Sequence, residues 1–303
     1  MSLKDIKSKI KATERINKVT KAMEAVSAVK MRKSQETALK GRSYATAAVS
    51  ILSRLTGNSF VKDHPMFVKR TGKKLLVLLI TSDKGLAGSL NAGVLKATEA
   101  LINLKSPDSS LVDVYAIGKK GRDYFRNRGP EIIGYTENKN DDVELDLIAD
   151  VADTLTTKFV GGDYHECVVA YSRFNSTFEQ IPTARTLLPL STESLSKIVE
   201  DIAPKTGRWS DIENKEVPVY TVEPSPEEVL EVLIPKLLSI GIYHLLLEGK
   251  ASEHSARMVA MKSASDKSKE VKQELNLKFN RARQSVITRE VSEIIGGIEA
   301  MAN

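Results

Sequence analysis

Few residues in this chain could do chemistry, and most lack the spacing that chemistry needs. Gly85-Leu86-Ala87-Gly88 lies between an apolar run and a helical pattern. A strand-to-helix turn there could cradle a phosphate on backbone N–H groups. The motif is neither G-x-G-x-x-G nor a P-loop, because no Lys-Ser/Thr follows the second glycine. On its own it reads as a tight turn that uses glycine's conformational freedom. His64, His165, His244 and His254 show no helical i, i+4 pairing of the kind that binds zinc. Serine, histidine and aspartate are all present, but no nucleophile motif frames them. Arg281-Ala282-Arg283-Gln284 is different. Buried in the seam of a paired helix, Arg and Gln would need acceptors on a partner; on an open face they would be solvated. The residues alone leave both readings open. No catalytic constellation, cofactor or metal site is expected.

The elements that carry these residues point to mechanics. Residues from about Leu3 to Leu55 and from about Pro226 to Met301 both read as long helices. At 1.5 Å per residue the first would reach roughly 80 Å. A helix that long must pair with another long helix or sit inside a partner. Leu3, Ile6 and Ile10, then Ile16, Val19, Met23 and Val26, step by three and four. That is a narrow coiled-coil stripe, with a change of phase expected at Thr13. Asn280, Gln284, Ile287, Val291, Ile294, Ile298 and Met301 form a second seam. Ser225-Pro226-Glu227-Glu228 is a capping box that starts the second helix.

Between them the grammar changes. Lys74–Asp83, Leu111–Gly118 and His165–Phe174 read as strands, alternating with helical patterns from Asn91, Lys119 and Val143. This alternation implies an α/β unit with a largely parallel sheet. Ile181–Leu190 would add an edge strand, and Gly207–Glu216 a loop. The expected architecture is therefore α/β: long terminal helices over 1–56 and 220–303, forming an antiparallel coiled coil, around a domain over 73–215.

Bulk properties narrow the function classes. The 303 residues carry 28% charged side chains and a net charge of +6. Residues 1–56 hold +9 and 250–303 hold +3, so the middle holds −6. Basic helices suit an acidic partner or a solvated face. A nucleic-acid-binding coiled-coil adaptor is one alternative, but interleaved aromatics and a reading element are missing. A dinucleotide-binding enzyme with helical arms is another, without its fingerprint glycines. The lone Cys167 sits in an apolar run and cannot form an internal disulfide, which suits a reducing compartment. The start of the chain is too charged for a signal peptide. The most apolar stretch, Val229 to Leu247, is broken by Glu231, Pro235, Lys236 and Gly241, and expects neighbours.

Four segments, taken together, carry a family resemblance: Lys18–Gln35, Thr81–Asn91, Ser252–Asp266 and Phe279–Gly297. In type and order they resemble the gamma subunit of the rotary proton-translocating ATP synthase. The resemblance runs from Leu3 to about Met301. It implies a left-handed antiparallel coiled coil flanking a Rossmann-like α/β domain. It implies a non-catalytic central shaft that couples proton-driven rotation of a membrane c ring to ATP synthesis at the beta subunits. The partners implied are the alpha, beta, epsilon and c subunits, with no nucleic acid. The chain would sit as a peripheral protein on the cytoplasmic face of a bacterial inner membrane. By the same resemblance Met23 meets the lever loop of beta, and Arg283, Gln284 and Thr288 bond its catch loop. Arg257 serves coupling or helix packing, and Tyr220 and Glu223 face the c ring or epsilon. Ala87 and Ser89 depart from the cysteine and glycine of many relatives. The cysteine pair of chloroplast versions is missing.

Overall fold

The computed structural model describes residues 2–55, 63–106, 108–139, 143–191 and 225–302. Side chains of 41–55, 226 and 299–302 lie outside this description, as do Tyr220, Glu223 and the expected loop at 207–216. The chain forms two compact units, 28–256 and 1–27 with 257–303.

The larger unit is built on a five-stranded sheet. Its strands are β1 (Leu75–Ile80), β2 (Val112–Ile117), β3 (Glu131–Thr136), β4 (Glu166–Phe174) and β5 (Gln180–Leu188). They lie in the order β3-β2-β1-β4-β5. The first four are parallel, and β5 runs antiparallel to β4 at one edge. The helices α2 (Leu90–Lys105), α3 (Lys119–Phe125) and α4 (Leu145–Val160) connect the strands. All six residues of β1 are buried, as expected of a central strand with both faces covered. Leu75, Val77 and Leu79 pack towards Val94, Leu95 and Ile102 of α2 and Phe125 of α3. Leu76, Leu78 and Ile80 join the opposite cluster, with Ile148, Val151, Leu155 and Phe159 of α4. The period-2 alternation of the strand thus feeds two separate cores.

The stretch 229–247 finds its neighbours here. Helix α5 (Pro226–Ala302) follows α1 (Leu3–Leu55) and the three connecting helices in chain order. Its Leu230, Ile234, Leu237, Leu238, Ile242, Leu245 and Leu246 belong to the same core cluster as Leu76 and Leu78. By length and composition alone this helix could cross a membrane. Its apolar face is instead spent on the sheet. The Ser225 half of the capping box forms: the Glu228 N–H donates to Ser225 Oγ at 3.2 Å, while the Glu228 carboxylate meets the Ser225 hydroxyl, with Oγ to Oε1 at 3.3 Å.

The smaller unit pairs the first part of α1 with the last part of α5. Asn17 Nδ2 donates to Ser265 O at 2.7 Å and Ser268 Oγ at 2.7 Å, and lies 3.1 Å from Ser265 Oγ. Lys272 Nζ lies 3.4 Å from Glu14 Oε1. The pairing rises on one helix as it falls on the other, so the two run antiparallel. The inward residues of α1 are Leu3, Ile6, Ile10, Thr13, Asn17, Thr20, Glu24 and Ser27, all buried or half-buried. They alternate steps of three and four without a break, the spacing of a left-handed supercoil.

This corrects two sequence expectations. The stripe does not change phase at Thr13; it stays in register and becomes polar. Ile16, Val19 and Val26 are instead on the open face, 55%, 57% and 53% exposed. The polar seam residues keep partners: Asn17 bonds Ser265 and Ser268 across it, and Thr20 Oγ1 donates back to Ile16 O at 3.0 Å on its own helix. On α5 the inward positions are Met261, Ser265, Ser268, Lys272, Leu275, Phe279, Ala282 and Val286. The expected seam lies past the paired stretch: every position from 287 to 298 is exposed, with Ile287, Val291, Ile294 and Ile298 at 49%, 48%, 62% and 64%.

A polar residue in a coiled-coil seam fixes register at some cost in stability. The two amide hydrogens of Asn17 serve three oxygens, so this residue holds the two helices in one alignment. Asn17→Ala should lower the unfolding free energy by about 1–3 kcal/mol, the cost of stranding buried hydrogen-bonding groups. Urea denaturation followed by circular dichroism measures it. A change within about 0.5 kcal/mol, the scale of an ordinary surface substitution, would deny Asn17 this role.

Candidate functional site

Open parallel sheets bind ligands outside the carboxyl ends of their strands, where the strand order switches. Here that place lies beyond β1 and β4, next to Gly85–Gly88. The turn residues take left-handed backbone, with Leu86 at φ 63° and Gly88 at φ 58°. The donors around it are already spent on the chain's own oxygens. Asp83 accepts the N–H of Lys119 at 2.7 Å and that of Asn138 at 2.8 Å. Thr81 Oγ1 accepts the N–H of Gly121 at 2.8 Å. Asn91 Oδ1 accepts the N–H of Ser82 at 3.1 Å. A carboxylate thus stands beside the turn, where an anion would bind.

Helix α5 closes the crevice from above. Ser252 Oγ donates to Ser172 O at 2.9 Å, and Ser255 Oγ to Thr177 O at 2.6 Å. A methyl on Gly249 would meet Ile80 Cγ2 at 3.3 Å, so helix and strand end are in close contact.

The histidines do not converge. His165 Nδ1 pairs with Lys74 O at 2.8 Å, His64 packs edge-on against Phe67, and His244 is buried in α5. Among the described residues no group of three or more His, Cys, Asp or Glu could hold a metal. Cys167 is fully buried, which pushes its thiol far up and leaves it inert.

His244 has a measurable consequence. Burial lowers its pKa to about 4, and its Nε2 has no hydrogen-bond partner among the described residues. Between that value and the ordinary 6.5 the unfolded chain binds the extra proton and the folded chain does not. Stability is therefore intact above about pH 6.5 and falls as pH drops towards 4, by roughly 3 kcal/mol in all. His244→Leu should flatten this part of the pH profile in urea titrations. An unchanged slope would place the titration elsewhere.

The shaft residues expected from sequence fall on both kinds of surface. Arg283, Gln284 and Thr288 are exposed, with no hydrogen bond or ion pair among the described residues. Met23 is half-buried at the margin of the seam. Arg257 is buried, at 8% exposure. Asn17 was not singled out from sequence. Its signal was the unbroken heptad step from Ile10 through Thr13, which apolarity alone does not reveal.

A two-helix element zipped by a polar seam, with apolar and cationic residues facing out, accompanies an α/β domain whose ligand crevice is closed. This is the constitution of a mechanical protein. The family model described as ATP synthase matches residues 2–301. The chain belongs to that family, as one of its gamma chains, the non-catalytic central rotor shaft of the complex.

Solved structures share the fold. A chain of the Tetrahymena thermophila mitochondrial ATP synthase central stalk and c ring is 24% identical, with a TM-score of 0.59, covering 82% of this chain and 99% of that one. A chain of the Euglena gracilis mitochondrial ATP synthase, in its OSCP/F1/c-ring assembly, is 18% identical, with a TM-score of 0.63 and coverage of 99% and 94%. A chain of the rotor of the same Euglena enzyme is 16% identical, with a TM-score of 0.60 and coverage of 94% and 98%.

Proposed function

We propose that this shaft couples proton flow through a membrane c ring to ATP synthesis at the beta subunits, turning inside a ring of alpha and beta subunits with epsilon beside its α/β domain. One observation carries the reading: the two-helix unit leaves a set of large apolar residues outside its seam. Ile16, Val19 and Val26 on α1, and Ile287, Val291, Ile294 and Ile298 on α5, are all about half exposed or more. Exposed apolar stripes of this length mark contact surfaces. An apolar surface offers a surrounding sleeve no specific hydrogen bonds, so it can slide. Coupling then needs a few stronger contacts, and the exposed Arg283, Gln284 and Thr288 supply donors for a catch on beta. Arg257 packs the shaft, and Tyr220 and Glu223 meet the c ring or epsilon. The complex would hold this chain as a peripheral protein on the cytoplasmic face of a bacterial inner membrane, a setting that its single buried thiol tolerates.

Met23 tests the lever contact. It is unionised and only half-buried, so a longer cationic side chain fits there without disturbing the seam. Met23→Lys would place an ammonium against an acidic lever loop and add a bond of about 1.5–3 kcal/mol to a contact that must release. Hydrolysis should persist while proton pumping per ATP falls, measured in vesicles containing the assembled complex. Unchanged coupling would remove Met23 from the lever contact.

A further inference from the structure

The closed crevice is not filled completely. Ile80, Thr81, Ser82, Asn91, Asn138 and Ser172 of the domain, with Gly249 and Glu253 of α5, line a cavity of about 10 Å³. That is close to the space one water centre occupies. The lining is mixed, with Leu90 and Val94 on its apolar side, and it contains an unmet demand: Asn138 Oδ1 is buried and has no donor among the described residues. The orientation of this amide is fixed. Its Nδ2 donates to Thr81 O at 2.9 Å, so turning it over would set two carbonyl oxygens against each other. The backbone is held as well, since the Asn138 N–H bonds Asp83 Oδ2 at 2.8 Å. Asn138 therefore cannot swing away to find solvent. A buried amide oxygen left without a donor costs on the order of 1–3 kcal/mol, a strong drive to recruit one.

We propose that this cavity is a binding site for a single ordered water, which donates to Asn138 Oδ1 and to the carboxylate of Glu253. The water completes the junction between the strand ends and α5, beside the direct bonds of Ser252 and Ser255. A metal cation fits less well, because the nearby oxygens are committed. Thr81 O accepts from Asn138, and Ser82 Oγ donates to Lys84 O at 2.6 Å. A nucleotide or any larger ligand is excluded by the volume.

A cryo-EM map of the assembled complex, at a resolution that shows buried waters, tests the site. The expected result is one peak within about 3.2 Å of both Asn138 Oδ1 and a Glu253 carboxylate oxygen. The peak should vanish in Asn138→Leu and persist in Glu253→Gln, whose amide still offers an acceptor. A map that shows other buried waters but none here would overturn the proposal. So would a peak ringed by six or more oxygens at about 2.3–2.6 Å, which is a cation's geometry. Persistence of the peak in Asn138→Leu would overturn the assignment of its acceptor.

Discussion

Replacing Gly118 by alanine should destabilise the α/β unit by more than about 4 kcal/mol, the range reserved for backbone clashes and core disruption. Gly118 stands between β2 and α3 at φ 98° and ψ 139°, a conformation that L side chains rarely adopt. A Cβ there would lie 2.0 Å from Thr81 O and 2.9 Å from Thr81 Oγ1. The obstacle is backbone, not the tip of a flexible side chain, so it cannot give way cheaply. The same Thr81 oxygens hold Asn138 and Gly121, so any retreat would dismantle the strand-end network. Gly88→Ala supplies the contrast. Its φ is also positive, at 58°, but a Cβ there meets nothing within 4 Å. It should cost only about 1–2 kcal/mol, the ordinary left-handed penalty. Urea midpoints of the two variants measure the difference. Equal losses would show that space, as opposed to φ, is not what selects glycine at 118.

The second large effect is functional. Changing Arg283 and Gln284 together to alanine should slow rotation-coupled hydrolysis by tenfold or more. Hydrogen bonds to charged groups contribute about 1.5–3 kcal/mol each, and each 1.4 kcal/mol is a factor of ten. Both side chains are exposed and unpaired among the described residues, so their loss should leave the fold alone. The unfolding midpoint is therefore expected within about 0.5 kcal/mol of the parent, as for other surface changes. A large drop in activity with unchanged stability assigns the pair to a partner contact. Unchanged activity would discard the site and leave the shaft intact.

Much of the architecture was legible because its signals are local. The strands β1, β2 and β4 are largely buried on both faces, so they read as runs dominated by apolar residues. The capping box at Ser225 declared itself within four residues. β3 was not read: Glu131–Thr136 is a half-exposed edge interrupted by Gly134. That glycine lets the ring of Tyr115 cover the strand, since a Cβ there would sit 2.4 Å from Tyr115 Cε2. Such a need arises only from packing. The coiled-coil seam was misread for a related reason. Apolarity pointed to Ile16 and Val19, whereas the seam is held by Asn17, whose partners are 248 and 251 residues away. No local pattern reveals that Ser265 and Ser268 will be opposite. A conflict between apolar pattern and heptad continuity was itself the clue: the apolar residues that lost the seam are the ones left for a partner.

In the functional region, Gly85–Gly88 forms the strand-to-helix turn that its spacing implies. The sequence could not show that α5 would lie over the crevice, because that closure rests on Ser252 and Ser255 reaching strand and hairpin carbonyls about 80 residues away.

A chain that turns as a shaft must rotate when ATP is hydrolysed. The most direct measurement fixes an optical probe to the α/β domain and records its angle in a reconstituted complex with alpha and beta subunits during ATP hydrolysis. Stepwise, unidirectional rotation at a rate that tracks hydrolysis is the predicted result. A complex that hydrolyses ATP while the probe stays at one angle would contradict the account.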